Sequence, residues 1–248
     1  MAPILRLSGV VAGYGAGDVL KGVDLEVATG TVTCLIGPNG AGKSTVLKTI
    51  SGLLRQSRGR VEYRGQEISA LRPKGRLLLG IVHVPQERSL FPAMTVWDNL
   101  LMGGYVVRDA KLVKARLDEA VAAFPICADR ARSAAGSLSG GEQKQVELAR
   151  TLILDPTLML LDEPSIGLDP KSRRIVFDSV RALSSTGRTI VLVEQNARSG
   201  LAAADVGAVL ETGVVRLVAD AAGLLDDPEV ARLYLGAAAS GTNKGLAS

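Results

Sequence analysis

The densest chemistry in the chain lies in nine consecutive residues, Gly37-Pro38-Asn39-Gly40-Ala41-Gly42-Lys43-Ser44-Thr45. Glycines here let successive backbone N–H groups converge on an anion that side chains would keep out. Lys43 adds a point charge for terminal phosphates, and Ser44 a hydroxyl of the kind that ligates Mg2+. These residues predict a nucleotide site. Downstream, Leu158-Met159-Leu160-Leu161-Asp162-Glu163 is an apolar run ending in two adjacent carboxylates. Successive strand residues point to opposite sides, so the pair can divide its work. Asp162 is expected to hold Mg2+ through water, and Glu163 to polarise an attacking water as general base. A third motif, Leu138-Ser139-Gly140-Gly141-Glu142-Gln143, sets a capping serine before two glycines whose bare N–H groups make a second anion cradle.

Such groups need a scaffold. Residues 31–36 are a continuous apolar run that reads as a buried strand delivering the phosphate loop. Val46, Leu47, Ile50 and Leu53 then give helical spacing across residues 43–54. Residues 4–11 and 19–27 alternate like short strands, broken by Gly13, Gly15 and Gly17. Residues 61–63 and 81–84 are further strands. From about 87 to 135 the pattern turns helical, most clearly at 96–105 and 110–124. Strand and helix then alternate again: a helix from Glu142, a strand at 158–161, a helix from Pro170 and a strand at 189–193. Residues 206–210 and 214–218, with Gly213 between them, predict a late hairpin. The alternation implies an α/β fold, a mostly parallel sheet covered on both faces. Residues 236–248 are small and polar and predict a frayed tail.

Composition narrows the function. Of 248 residues, 47% are hydrophobic, enough for a sizeable core, and the formal net charge of +4 is too small to name a partner. Aromatics make up 3%, too few to serve as stacking platforms for single-stranded nucleic acid. No run reaches the ~18 apolar residues of a membrane-spanning helix, and residues 1–11 lack the pattern of a secretory signal. Cys34 and Cys127, far apart and outside any CxxC, suit a reducing cytoplasm. The only histidine, His83, reads as a partly buried structural residue, so no zinc site is expected. Arg55, Arg58, Arg60 and Arg64 read as a solvated basic face, and Asp169 as a residue opening the helix at Pro170.

On these motifs the chain resembles the ATP-binding subunits of ABC transporters, whose signature is LSGGQ-like. The resemblance covers nearly the whole chain, in the family's order. Tyr14 matches the aromatic that stacks on adenine, Gln86 the Q-loop, and Ser165-Ile166-Gly167-Leu168-Asp169 the D-loop. It implies a P-loop NTPase of the ABC type: one nucleotide-binding domain with a RecA-like core at 1–86 and 136–235 and an antiparallel N-terminal β region. A helical subdomain at about 87–135, extending into the helix from 139, would grip a membrane permease. ATP and Mg2+ are the implied cofactors. Residues 37–45 and Tyr14 would bind ATP in one chain, while Ser139, Gly140, Gly141 and Glu142 would hold the ATP of a second ATPase in a head-to-tail dimer. Ser44, Asp162 and Gln86 would attend the metal. Lys43, Glu163, Gln86 and Gln195 would form the catalytic group, with Gln86 sensing the γ-phosphate and swinging the helical subdomain. Most relatives carry His at the place of Gln195; Gln donates a hydrogen bond but carries no proton at neutral pH, so slower hydrolysis is expected.

Finer details resemble the ATPase subunits of branched-chain (hydrophobic) amino acid importers. They are Leu90-Phe91-Pro92-Ala93-Met94-Thr95-Val96, Asn99-Leu100-Leu101-Met102-Gly103-Gly104, Val193-Glu194-Gln195-Asn196-Ala197 and the ending from Asp227 to Gly236. That group implies two permeases, a second ATPase, an extracytoplasmic binding protein, and a place at the cytoplasmic face of the cell membrane. The ending also resembles the lipopolysaccharide-exporter ATPase, which keeps an export role as the alternative. Soluble ABC-type ATPases acting on nucleic acid or ribosomes carry long insertions or paired domains that do not fit 248 residues.

Overall fold

The computed structural model describes residues 3–15, 17–228 and 230; the ending quoted above and the tail at 236–248 lie largely or wholly outside them. Alternation in the first 27 residues builds β1 (Leu5–Tyr14) and β2 (Gly17–Val27), an antiparallel pair burying Leu5, Leu7, Val10 and Ala12. Of the glycines expected to break these strands, Gly15 lies in the turn that ends β1, whereas Gly13 and Gly17 are paired inside the ladder, with register irregularities at Leu7/Val10, Val10/Val11 and Ala12/Gly13. With β4 (Arg58–Tyr63) and β5 (Gln66–Glu67) they form a four-stranded sheet in the order β2-β1-β4-β5, antiparallel throughout. The four arginines of the basic run are exposed.

The second sheet runs β10-β9-β3-β8-β7-β6. Its members are β3 (Val32–Ile36), β6 (Ile81–Val84), β7 (Leu158–Asp162), β8 (Thr189–Val193), β9 (Val206–Glu211) and β10 (Val214–Asp220). Every pairing is parallel except the hairpin of β9 and β10. Strands buried on both faces explain the unbroken apolar runs. Leu158, Leu160, Val191 and Val193 join a core with the first sheet and α1 (Lys43–Ser51), while Met159, Leu161, Ile190 and Leu192 face a core of helices.

That second core gathers α3 (Val96–Gly103), α4 (Ala110–Ala123) and α5 (Ile126–Asp129) on α6 (Gly140–Leu152), and adds α7 (Pro170–Ser185), α8 (Ala197–Ala202) and α9 (Ala221–Asp226). A further short helix, α2 (Pro73–Leu78), lies before β6. Capping starts these helices: Thr95, Asp109 and Asp169 accept backbone N–H bonds at the heads of α3, α4 and α7. The helix expected from Glu142 starts two residues earlier, because Ser139 is its cap and the two glycines form its first turn. Among the described residues no helix is long and apolar enough to cross a membrane.

Candidate functional site

The phosphate loop leaves β3 and enters α1, so the first-turn N–H groups of the helix face the same space as the loop. Gly37 is fixed by crowding: a Cβ there would fall 2.0 Å from the carbonyl oxygen of Leu210 on β9. The β9–β10 turn also braces the loop from behind, Gly213 N–H donating to the Ala41 carbonyl at 3.0 Å. Pro38, Asn39 and Gly40 are exposed, whereas Lys43 and Thr45 are buried. The Lys43 ammonium donates to the carbonyls of Gly37 and Pro38 at 2.8 and 3.0 Å. Burial lowers its pKa, and the nearby Glu163 and Asp162 carboxylates oppose that shift.

Val19, Asn39, Gly40, Gly42, Lys43, Ser44, Thr45 and Glu163 line a cavity of about 290 Å3. Ser44 Oγ donates to Asp162 Oδ1 at 2.8 Å, and Gln86 Nε2 donates to Glu163 Oε2 at 3.0 Å. The two carboxylates therefore do divide, but not by strand alternation. Asp162 ends β7, while Glu163 turns out of the strand at φ 46°. Burial raises both pKa values; the Ser44 hydrogen bond restrains Asp162, and Lys43 restrains Glu163. A raised Glu163 is better matched to taking a proton near neutral pH. Ser44 and Asp162 supply hard oxygens beside a loop shaped for phosphates, which suits Mg2+ shared between protein, phosphate and water. No cluster of three or more metal-ligating acids, histidines or cysteines exists among the described residues, so phosphate and water must complete such a shell.

Glu163 also lines a second cavity, of about 370 Å3, with Ser165, Ile166, Gly167, Arg173, Glu194, Gln195 and Asn196. Gln195 thus lines a cavity that Glu163 also borders. Tyr14 is 53% exposed at the end of β1, with the Lys48 ammonium of α1 lying 5.8 Å from its ring centroid. Its ring is therefore open to a planar partner rather than packed on a strand.

Residues 139–142 stand apart. Ser139 Oγ accepts from Glu142 N–H at 3.3 Å, and Glu142 Oε2 accepts from Ser139 N–H at 2.8 Å, a reciprocal cap that lowers the Glu142 pKa. Gly141 has a packing reason as well, since a Cβ there would fall 2.5 Å from Ser172 Oγ on α7. Among the described residues no hydrogen bond, ion pair or cavity joins this motif to the phosphate loop of the same chain.

Two features escaped the sequence reading. Glu194, just past β8, is 2% exposed and accepts from both the N–H and the hydroxyl of Ser165. Glu147 of α6, 1% exposed, accepts from Ser89 N–H at 2.7 Å, three residues after Gln86. Each had a faint signal: an acid placed directly after, or within, an otherwise apolar stretch.

A family profile described as ABC transporter matches residues 20–166. The high-affinity branched-chain amino acid transport ATP-binding protein BraG of Pseudomonas aeruginosa is 39% identical, covering 90% of this chain and 95% of its own. The lipopolysaccharide export system ATP-binding protein LptB of Acidithiobacillus ferridurans is 33% identical, covering 95% and 98%. Among solved structures, the ADP conformation of MJ1267, an ATP-binding cassette of an ABC transporter, superposes with a TM-score of 0.85 at 29% identity, covering 96% and 100%. The family fold has the antiparallel N-terminal sheet and the mostly parallel sheet with helices described above. By profile, sequence and fold, the chain belongs to the ATP-binding subunits of ABC transporters, ATPases whose hydrolysis of ATP energises transport.

Proposed function

We propose that this subunit energises an importer of branched-chain hydrophobic amino acids, docked on permeases at the cytoplasmic face of the membrane. The observation that carries the catalytic part is one cavity lined by the phosphate loop, Ser44 and Glu163, with Asp162 hydrogen-bonded to Ser44 and Gln86 to Glu163 behind that lining. Residues 37–45 bind the phosphates of ATP and Tyr14 stacks on the base. Lys43 leaves its loop carbonyls for phosphate oxygens. Ser44, Asp162 and Gln86 would hold Mg2+; the ion would supply charge neutralisation for the phosphates when bound. Glu163 accepts the proton of the attacking water, and Gln195 orients groups at the terminal phosphate from the second cavity. Residues 139–142, remote from their own phosphate loop, serve the ATP of a second ATPase subunit in a head-to-tail pair. ATP then closes the pair, and loss of the terminal phosphate releases it. Within the chain, residues 1–86 and 136–235 form the nucleotide-binding core and about 87–135 the permease-gripping part.

The similarity to BraG supports branched-chain amino acid transport; in the import reading an extracytoplasmic binding protein delivers the substrate. The similarity to LptB favours a second reading, energising lipopolysaccharide export. Lys43→Ala is expected to abolish nucleotide binding or turnover. Glu163→Gln is expected to keep ATP binding yet accumulate a closed dimer in Mg·ATP, seen by size-exclusion chromatography. Hydrolysis by Glu163→Gln at the parent rate would remove Glu163 as base. Recovery of the tagged protein from gently solubilised membranes with two permeases and a second ATPase, followed by uptake of labelled leucine, supports the importer; recovery with export components supports the second reading.

A further inference from the structure

The backbone of Glu163 lies at φ 46°, in the left-handed region that side-chain-bearing residues avoid. Such a conformation persists only where the surroundings over-determine it. Here the constraints can be named. Glu163 N–H donates to the Val193 carbonyl at 2.9 Å, and Ile166 N–H closes back on the Glu163 carbonyl at 3.1 Å. Two residues beyond Glu163, Ser165 is held twice: its N–H donates to Glu194 Oε1 at 3.1 Å and its hydroxyl to Glu194 Oε2 at 3.0 Å.

Glu194 is an expensive residue to place there. It is 2% exposed and takes part in no salt bridge among the described residues, although Arg173 lines the same cavity. Burial pushes its pKa up to about 7; the Ser165 bonds and the more distant Arg173 pull it down, while Glu163 pushes it further up. On its other side α8 packs so closely that a Cβ at Gly200 would lie 2.9 Å from Glu194 Cβ, and the Cys34 thiol of β3 feels its charge. An acid buried without an ion-pair partner weakens a core unless its hydrogen bonds serve something. Both of its oxygens serve the turn that follows the base.

We propose that Glu194 is a positioning residue for ATP hydrolysis: by gripping Ser165 at both donors it fixes the left-handed turn that aims the Glu163 carboxylate into the phosphate-loop cavity. The inference rests on the reading of Glu163 as base given above. It places the aim of the base under β8, the same strand whose end delivers Gln195.

The test uses the full chain with Mg·ATP. Glu194→Ala is expected to lower kcat roughly 10- to 100-fold, the range a misaimed group costs, while ATP affinity of the separate subunit stays within about twofold. Ser165→Ala, which removes only the hydroxyl donor, is expected to cost about threefold and to add little to Glu194→Ala, because both break one contact. Glu194→Gln, retaining one acceptor oxygen, should fall between the parent and Glu194→Ala. The decisive comparison is the Glu163→Gln background, where adding Glu194→Ala should lower the residual rate by less than about twofold, since no base remains to be aimed. An equal loss in both backgrounds overturns the inference, as does a fall in ATP affinity matching the fall in kcat. Parental kcat in Glu194→Ala beside an inactive Glu163→Gln sinks this inference alone. Parental kcat in Glu163→Gln removes the reading of the base and this inference with it.

Discussion

His83 is the chain's one histidine, and its ring shows how little of a residue's role follows from its type. It sits on β6, two residues before the turn to Gln86, with both ring nitrogens buried and without hydrogen-bond partners. Burial, helped by the positive charge of Lys48, pushes its pKa down to about 4 from 6.5. A base whose folded pKa is depressed contributes stability that is present above pH 6.5 and lost as pH falls towards 4. His83→Leu removes that proton-linked loss together with two unsatisfied nitrogens. Urea unfolding of parent and variant should therefore show a gap in favour of leucine that widens by about 2 kcal/mol between pH 7.5 and pH 5. Taking the difference cancels the opposite trend of Glu194, whose raised pKa favours the folded state as pH falls below about 7. A gap that does not change with pH would mean that the ring finds a proton acceptor or water.

At the scale of elements, α6 does two tasks at its two ends. Its head carries Ser139 and the glycines. Half-way along, Glu147 and Arg150 take hold of Ser89: Glu147 accepts from its N–H, while Arg150 donates to its carbonyl at 2.9 Å and to its hydroxyl at 2.6 Å. The segment following Gln86 is thus clasped to the helix, leaving residues 86–88 as the exposed stretch before the clasp. Lys144, 8% exposed, completes the group by pairing with Glu147 at 2.5 Å. Removing one member of a buried pair strands the other, so Glu147→Ala should cost about 3–5 kcal/mol of unfolding free energy. The double variant Lys144→Met with Glu147→Gln keeps an acceptor for Ser89 and removes both charges of the pair, so only the half-buried Arg150 loses a counter-charge. It should stay within about 1 kcal/mol of the parent by urea titration; equal losses in both variants would assign the cost to volume rather than charge.

The same scale explains what was legible in the sequence. The phosphate loop, the cap at Ser139 and the Asp162-Glu163 step are contiguous, and contiguous chemistry can be read from spacing. Apolar runs gave the inner strands because both their faces are buried. Short helices were missed: Pro73–Leu78 has little apolar periodicity and is tied by Arg76, whose guanidinium donates to Thr49 and Ile50 carbonyls in the last turn of α1. α1 itself stops at Ser51, not Leu54, because Gly52 adopts the left-handed conformation at φ 78°. The pairings Gln86–Glu163 and Glu194–Ser165 depend on strands β6, β7 and β8 lying side by side, with Asp162 opposite Val193. No local pattern states that register.

At the scale of the whole molecule, α3 and its flanks expose, among the described residues, large apolar side chains that the chain's own core does not account for. α3 is two-sided: Val96 and Leu100 are fully buried against α6, while Trp97 and Leu101, one turn apart, stay 39% and 42% exposed. Tyr105, just past the end of α3, is 83% exposed, and Phe91, before its start, is 45% exposed. Burying Trp97 and Leu101 inward instead would expose Val96 and Leu100, so the outward set is not a folding compromise. Large apolar side chains grouped on one surface mark a place that a partner covers. In the proposed assembly that partner is a permease, and the clasp on Ser89 ties this surface to the helix that begins at Ser139. Trp97→Asp combined with Tyr105→Asp should therefore lower recovery of permeases in the membrane pull-down by about tenfold or more. ATP affinity of the separate subunit should stay within about twofold, because neither side chain lines the phosphate-loop cavity. Undiminished recovery would move the contact elsewhere, to the exposed basic strand face or to α4. Lost ATP affinity would mean that the outward residues support the core after all.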